Sequence, residues 1–201
     1  MKKCIIFSAA QIFDYSGINP DNSFVIAADG GLIHTKKLNI TPDVVIGDMD
    51  SYDGKVPEDS LLFPVKKDDT DTMLAIKKGL ELGFSDFEIY GGMGGRFDHT
   101  IANIQSLSFL KKHNANGVLK DENHTVYLIK NERLTLTETG KYISVFAYGA
   151  DANGVSLSGF EYPLENGTLS ADFPLGVSNK AVSKEVSIEV SDGVLLVIVR
   201  K

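Results

Sequence analysis

The sequence lacks several features that mark whole classes of protein. It contains no tryptophan, one cysteine and six prolines in 201 residues. Cys4 therefore has no partner for an intramolecular disulfide, which argues against a disulfide-stabilised secreted fold. No apolar run reaches the roughly 18 residues of a membrane-spanning helix, and the segment 1–10 is shorter than a signal peptide. We expect a cytoplasmic protein with no membrane partner.

Positive charge is also scarce. The chain has 20 Lys and Arg against 27 Asp and Glu, a formal net charge of -7 and a pI near 5.1. Binding to the phosphate backbone of a nucleic acid normally needs a basic face, so we expect no nucleic-acid partner. An acidic protein can still bind ATP when a divalent cation lies between its carboxylates and the phosphates. The charge balance is therefore compatible with a metal-nucleotide site.

Two kinds of pattern divide the chain. In residues 1–116, short apolar runs that end in Gly, Asp or Ser alternate with helical patterns at 72–82 and 96–113. This alternation predicts an α/β N-terminal domain with a parallel sheet flanked by helices. In residues 117–201, short strand patterns are separated by the turn sequences ENG, SDG and DANG, which predicts an all-β antiparallel sandwich domain. We place the domain boundary between residues 116 and 117.

The acidic residues of the first domain gather at the ends of predicted strands and at one helix start. They are Asp29, Asp48, Asp50, Asp68 and Asp71. Because the carboxyl ends of parallel strands share one edge of a sheet, where ligands bind, these carboxylates could converge. Asp48 and Asp50 point the same way in an extended segment, so this pair could hold one hard cation. The alternative is structural, with turn residues in the first segment and a helix cap in the second.

The segment 90–104 predicts a strand, a glycine turn and a helix. Four glycines between residues 91 and 95 allow a sharp turn that exposes backbone N–H groups near a helix start, where anions bind. The turn lacks the Gly-Lys-Ser/Thr ending of a Walker loop and does not match the dinucleotide fingerprint. On a helical wheel, Arg96, His99 and Asn103 share one polar face. This face is typical of a ligand site, with an ordinary exposed helix as the alternative. The other three histidines are predicted to be surface or structural residues.

Four motifs, ADGG, GDMDS, KDDTD and GGMGGRFDHTIAN, occur in this order and spacing. Together they resemble the thiamine pyrophosphokinase family, and the β half resembles it through VSNK and the closing DGVLLVIV. The resemblance implies a kinase that transfers diphosphate from ATP to the thiamine hydroxyl, giving thiamine diphosphate and AMP, with Mg²⁺. It also implies a homodimer whose active sites lie between the α/β domain of one subunit and the β domain of the other.

The motifs give each candidate residue an expected role. We assign the metal to Asp48, Asp50, Asp68 and Asp71. We assign ATP to Asp29, Gly92, Arg96, His99 and Asn103. We assign catalysis to Asp71, Arg96 and Asp98, and leave the general base open. Ser178 and Asn179 match the thiamine-contacting turn of the family, and an ordinary β-turn is the alternative there. Where many members carry an acidic residue followed by an aromatic one, this chain has Lys180 and Ala181.

Two other functions fit the same residues. An acidic cluster beside a parallel sheet also suits a metal-dependent phosphohydrolase or nuclease. A nucleotide- or thiamine-binding sensor without catalysis would keep the pocket and would be recognised by the loss of acidic residues. None of the acidic residues named above is missing.

Overall fold

The computed structural model describes residues 2–48, 61–62 and 68–201. The chain forms two compact units, Met1–Glu122 and Asn123–Lys201. This division falls later than the boundary predicted between residues 116 and 117, because the strand at 116–120 pairs in parallel with the last strand of the α/β pattern. Among the described residues, no helix has the length and apolar character needed to cross a membrane.

The first unit is built on parallel strands. They are β1 (Cys4–Phe7), β2 (Phe24–Ala28), β3 (Val44–Gly47), β4 (Leu61–Leu62), β5 (Asp86–Tyr90) and β6 (Asn116–Lys120). Their order is β6-β5-β1-β2-β3-β4, and all the pairings between these neighbours are parallel. The central strand β1 is buried at every residue, as expected for a strand covered on both faces. The parallel pairing agrees with the prediction from sequence.

Helices cover both faces of this sheet. They are α1 (Leu32–Lys37), α2 (Asp71–Glu81) and α3 (Phe97–Lys112). Cys4 and Phe7 are three residues apart in β1 and therefore point to opposite faces. A Cβ added to Gly79 of α2 would lie 3.3 Å from the Cys4 sulfur. On the other face, the Phe7 ring lies 6.4 Å from the His34 ring of α1, measured between centroids.

The second unit contains two antiparallel sheets. Its strands are β7 (His124–Lys130), β8 (Arg133–Leu136), β9 (Tyr142–Ala147), β10 (Ala152–Ser158), β11 (Leu164–Leu169), β12 (Asn179–Lys180), β13 (Val186–Glu189) and β14 (Val194–Arg200). One sheet contains β12-β9-β14-β7 and the other contains β11-β10-β13-β8. A single buried cluster includes Val197 of the first sheet and Ile188 of the second. The two sheets therefore share one core, as sheets packed face to face do.

Two of the predicted turns in this unit lie inside strands. The sequence ENG falls within β11, and most of DANG falls within β10. The register between these strands shifts on either side of Val155, and both Gly154 and Asn166 have positive φ angles. Gly and Asn favour this backbone conformation in bulges as well as in turns. The turn interpretation of these two sequences is therefore wrong, and SDG does separate β13 from β14.

Candidate active site

A cavity of about 290 Å³ lies at the carboxyl ends of β1, β2 and β5, beside the first turns of α2 and α3. Its size is close to the lower end of the roughly 300–1,000 Å³ typical of small-molecule sites. The described residues that line it are Ser8, Ala9, Ala10, Ala28, Asp29, Thr70, Asp71, Thr72, Gly91, Gly92, Gly94, Gly95, Arg96, His99 and Asn103. The sheet therefore brings Asp29 and Asp71 together with the glycine turn, as expected for the ligand-binding edge of a parallel sheet.

Asp29 is the buried carboxylate of this cavity. It follows β2, has a φ angle of 50° and is 6% exposed. Gly47 makes room for it, because a Cβ at Gly47 would lie 3.1 Å from the Asp29 Cα. The Oδ1 atom of Asp29 is buried and has no hydrogen-bond partner among the described residues. Burying such an oxygen without a partner is costly, so the site favours a cation or a hydrogen-bond donor there.

Asp71 is the first residue of α2 and also lines the cavity. The side chain of Thr70 caps this helix, since its Oγ1 accepts a hydrogen bond of 3.2 Å from the Met73 N–H. The next residue, Thr72, is linked to Ser8 at the end of β1 by a buried hydrogen bond of 2.8 Å between their hydroxyls. The cap and this bond fix the first turn of α2, and with it Asp71, against the sheet.

The other predicted metal ligands that the structure describes lie outside the cavity lining. Asp48 follows β3 and is half-buried, but it is not among the residues that line the cavity. Asp68 is exposed and lies outside the lining as well. Asp50 lies outside the described residues. Within 2–48, 61–62 and 68–201, no group of three or more His, Cys, Asp or Glu side chains is arranged to hold a metal ion.

The glycine turn and the start of α3 form the opposite wall. Gly94 and Gly95 have φ angles of 82° and 63°, and a Cβ at either position would meet no atom within 4 Å. Arg96 is the N-cap residue of the 16-residue helix α3 and makes no side-chain capping bond. Asn103 is buried and donates a hydrogen bond of 2.8 Å to the Gly92 carbonyl, which holds the turn against the helix. Open backbone at a helix N-terminus suits the phosphates of an anionic ligand.

Arg96 and Asp98 form an exposed ion pair at this helix start. The Arg96 Nη2 atom lies 2.6 Å from Asp98 Oδ2, and the Asp98 Oδ1 atom accepts a hydrogen bond from the His99 N–H. The hydrogen bond from Arg96 lowers the pKa of Asp98, and the same bond raises the pKa of Arg96. Arg96 and His99 line the cavity, whereas Asp98 does not.

In the second unit, Ser178 and Asn179 lie on the turn before and within β12. Ser178 is exposed with a φ angle of 55°, and Asn179 is 5% exposed. The Asn179 amide makes two hydrogen bonds to the Tyr162 backbone: Oδ1 accepts from N–H at 3.1 Å, and Nδ2 donates to the carbonyl at 2.7 Å. Asn179 also borders an apolar cavity of about 380 Å³. Ala181 is fully buried in the core.

Comparison with known proteins covers both units. Residues 16–119 match the family described as thiamin pyrophosphokinase, catalytic domain, and residues 123–195 match the thiamin pyrophosphokinase, vitamin B1 binding domain. The chain belongs to the thiamin pyrophosphokinase family. The cavity residues from Asp29 to Asn103 lie within the match to the catalytic domain, whereas Ser8, Ala9 and Ala10 precede it. The Ser178–Asn179 turn lies within the match to the binding domain.

Individual members of the family support the same conclusion. The chain is 27% identical over 194 residues to the thiamine pyrophosphokinase of Bacillus subtilis, covering 92% of this chain and 91% of that protein. A crystal structure of the thiamine pyrophosphokinase from Bacillus subtilis matches with a TM-score of 0.91 and 26% identity, over 100% of this chain and 99% of that one. A thiamin pyrophosphokinase structure from Geobacillus thermodenitrificans, at 22% identity, shows the same fold with a TM-score of 0.83 over 100% and 98% of the two chains.

Sequence reasoning missed several residues that line this cavity. Ser8, Ala9 and Ala10 line the cavity directly after β1, and Thr72 lines it from α2. A signal was present for Ser8, because it ends an apolar strand in the same way that Asp29 ends the next one. The two alanines gave no signal because they contribute backbone and shape and carry no reactive group.

Proposed function

We propose that the chain is a thiamine pyrophosphokinase that transfers diphosphate from ATP to the hydroxyl of thiamine and releases AMP. The observation that carries the proposal is the family match over both units, combined with one cavity that holds two carboxylates, an arginine and a glycine turn. These comparisons give no support to the hydrolase, nuclease or sensor alternatives. A cytoplasmic location, where ATP is abundant, is part of the same proposal.

ATP is proposed to bind with its phosphates at the start of α3. Gly94 and Gly95 offer backbone N–H groups without side chains in the way, and the helix dipole adds a partial positive charge. The Arg96 guanidinium, which lines the same cavity, is proposed to hold phosphate oxygens and to stabilise the charge that develops during transfer. His99 and Asn103 complete this side, the latter by holding Gly92 in place.

Magnesium is proposed as the metal because the cavity offers carboxylate oxygens, the ligands that this ion prefers. Asp29 and Asp71 line the cavity, and the buried Oδ1 atom of Asp29 lacks a hydrogen-bond partner among the described residues. Asp48, Asp50 and Asp68 are proposed as further ligands on the resemblance to the family. When bound, the ion would neutralise phosphate charge and help to align the two substrates.

In the proposed reaction, the thiamine hydroxyl oxygen attacks the β-phosphorus of ATP. The bond between that phosphorus and the oxygen bridging to the α-phosphate breaks, and AMP leaves with the bridging oxygen. Arg96, held by its ion pair with Asp98, stabilises the negative charge on the phosphate oxygens. The carboxylate of Asp71, which lines the cavity, orients the attacking hydroxyl, whose proton passes to a base of the site. Positioning and electrostatic stabilisation supply most of the catalysis in such transfers.

The thiamine site is proposed to include the Ser178–Asn179 turn and to be completed by a second copy of the chain. Each site would combine the α/β unit of one subunit with the β unit of the other. Phe173, Leu175 and Val177, just before this turn, are each more than half exposed, which is typical of an interaction surface. A twofold dimer would make the two contributions reciprocal and build two equivalent sites.

Subunit mixing tests this shared site. An Asp71→Asn variant and a Ser178→Trp variant, each inactive alone, are allowed to exchange subunits, and exchange is verified by tagging one of them. In the mixed dimer one site would carry both lesions and the other would carry neither, so activity should return to at most half of the wild-type activity per dimer. If no activity returns after verified exchange, both parts of each site belong to the same chain and the proposal is wrong.

The reaction itself is tested by incubating the purified protein with ATP, Mg²⁺ and thiamine and separating the nucleotides. We expect AMP to form only when thiamine is present, with loss of activity on adding EDTA and recovery on adding magnesium. ADP as the sole nucleotide product would contradict the proposed function.

A further inference from the structure

His34 is a buried residue that the proposed reaction does not use. It lies in α1 and is 4% exposed, and its ring is tilted against the rings of Phe7 and Tyr15, with centroids 6.4 Å and 5.9 Å away. Both of its ring nitrogens have partners: Nε2 lies 2.9 Å from the Ala10 carbonyl oxygen, and Nδ1 lies 2.7 Å from the Tyr15 hydroxyl. The ring therefore connects helix α1 to the segment that follows β1.

These partners define the tautomer of the ring. A carbonyl oxygen can only accept a hydrogen bond, so Nε2 must carry the proton, and Nδ1 then accepts from the Tyr15 hydroxyl. Burial lowers the pKa of His34, which keeps the ring neutral near pH 7. Neutral His34 is thus a donor directed at Ala10, and Tyr15 keeps it in that form.

Ala10 is held from a second direction as well. Its N–H donates a hydrogen bond of 2.9 Å to the Gly91 carbonyl, and the Ser8 N–H donates one of 2.8 Å to the Tyr90 carbonyl. Gly91 has a φ angle of 65°, and a Cβ at that position would lie 2.4 Å from the Ser8 oxygen and 2.8 Å from the Ala10 oxygen. The segment Ser8–Ala10, which lines the cavity, is therefore fixed between the glycine turn and the His34 ring.

We propose that His34 is a positioning residue for the nucleotide: its hydrogen bond to Ala10, oriented by Tyr15, holds the Ser8–Ala10 wall at the spacing that ATP needs. The inference rests on the proposed assignment of this cavity to ATP. His34 itself does not line the cavity, and the wall carries no charged side chain. Loss of the hydrogen bond should therefore weaken ATP binding while sparing thiamine binding and the stabilisation of transition-state charge.

The test compares three variants by direct ATP titration and by steady-state kinetics. His34→Leu removes the donor, His34→Gln keeps an amide donor near the Nε2 position, and His113→Leu is the matched control. His113 is also a histidine at a helix end that bonds a backbone carbonyl, that of Phe109, but it lies outside the cavity lining. We expect the leucine variant to bind ATP about tenfold more weakly, with kcat and the KM for thiamine changed less than about threefold. The glutamine variant should recover most of the ATP affinity, and the His113 variant should resemble the wild type.

Several results would overturn the proposal. The first is a folded His34→Leu variant whose ATP affinity is unchanged. The second is a His34→Gln variant that binds ATP as weakly as the leucine variant. The third is a fall in the kcat of the leucine variant as large as its loss of ATP affinity. If His34→Leu does not fold, Tyr15→Phe decides: a rise of at least about twofold in the KM for ATP alone supports the proposal, and no rise refutes it.

Arg96→Ala is titrated in parallel. If Arg96→Ala weakens ATP binding and the His34 variant does not, only the positioning role fails, whereas if neither weakens it, the cavity is not the ATP site.

Discussion

Replacing Asn179 with alanine should destabilise the second unit as well as disturb any thiamine contact. The Asn179 amide is buried and makes hydrogen bonds of 3.1 Å and 2.7 Å to the two backbone groups of Tyr162. A typical intramolecular hydrogen bond contributes about 0.5–1.5 kcal/mol, and a buried group left without a partner costs more. We therefore expect a loss of about 2 kcal/mol, or a fall in melting temperature of roughly 4–8 °C for a chain of this size.

Circular dichroism during urea and thermal unfolding measures this loss, since the chain has no tryptophan to follow by fluorescence. Ser178→Ala is the matched control, because Ser178 is exposed and the bond between its N–H and the Ser144 hydroxyl involves only its backbone. Its stability should change by less than about 0.5 kcal/mol. Asn179→Asp should destabilise at least as much as Asn179→Ala, since it keeps the acceptor but puts a second carboxylate oxygen where the donor faced the Tyr162 carbonyl oxygen. If Asn179→Ala unfolds like the wild type while the KM for thiamine rises, Asn179 is a substrate contact and the structural argument is wrong.

Three further predictions concern the first unit. Asp71→Asn should lower turnover by roughly a hundredfold or more with little change in melting temperature. Its control, Asp69→Asn, breaks only an exposed ion pair with Lys77 and should keep activity, so equal losses in both variants would refute the metal assignment. Arg96→Ala should lower kcat by about 10²- to 10³-fold at saturating ATP, and an unchanged kcat would contradict its role in charge stabilisation. Gly31→Ala places a Cβ 1.9 Å from the Phe7 carbonyl oxygen and should destabilise the chain by about 3 kcal/mol or more. Chemical denaturation measures this loss. An unfolding midpoint equal to that of the wild type would show that α1 can move away from β1.

Long periodic elements of the first unit were predictable from sequence. The helices predicted at 72–82 and 96–113 lie within one residue of α2 and α3 at each end. Helix α1 was missed because it has six residues, too few for an apolar period to show. The sequence changes near residue 117 from alternating strand and helix patterns to consecutive strand patterns. This change does not reveal that β6 pairs with β5, so most of β6 was assigned to the second domain.

Strand irregularities and individual side-chain contacts could not be predicted from the sequence. Gly154 and Asn166 have the positive φ angles of turn residues, but they form irregularities within paired strands, and sequence alone does not separate these two cases. At the site, the expectation that ligand-binding residues follow the strands of a parallel sheet identified Asp29. It could not find the hydrogen bond from His34 to Ala10, because that contact depends on how α1 packs on the sheet. Whether the Ser178–Asn179 turn contacts thiamine stays a prediction.

Diphosphate transfer is tested by following the β-phosphate of ATP. The protein is incubated with magnesium, thiamine and ATP carrying radioactive phosphorus at the β position, and the products are separated by chromatography. We expect the label in thiamine diphosphate, with one unlabelled AMP formed for each molecule of that product. Label recovered in ADP, or in inorganic phosphate with no thiamine product, would contradict diphosphate transfer.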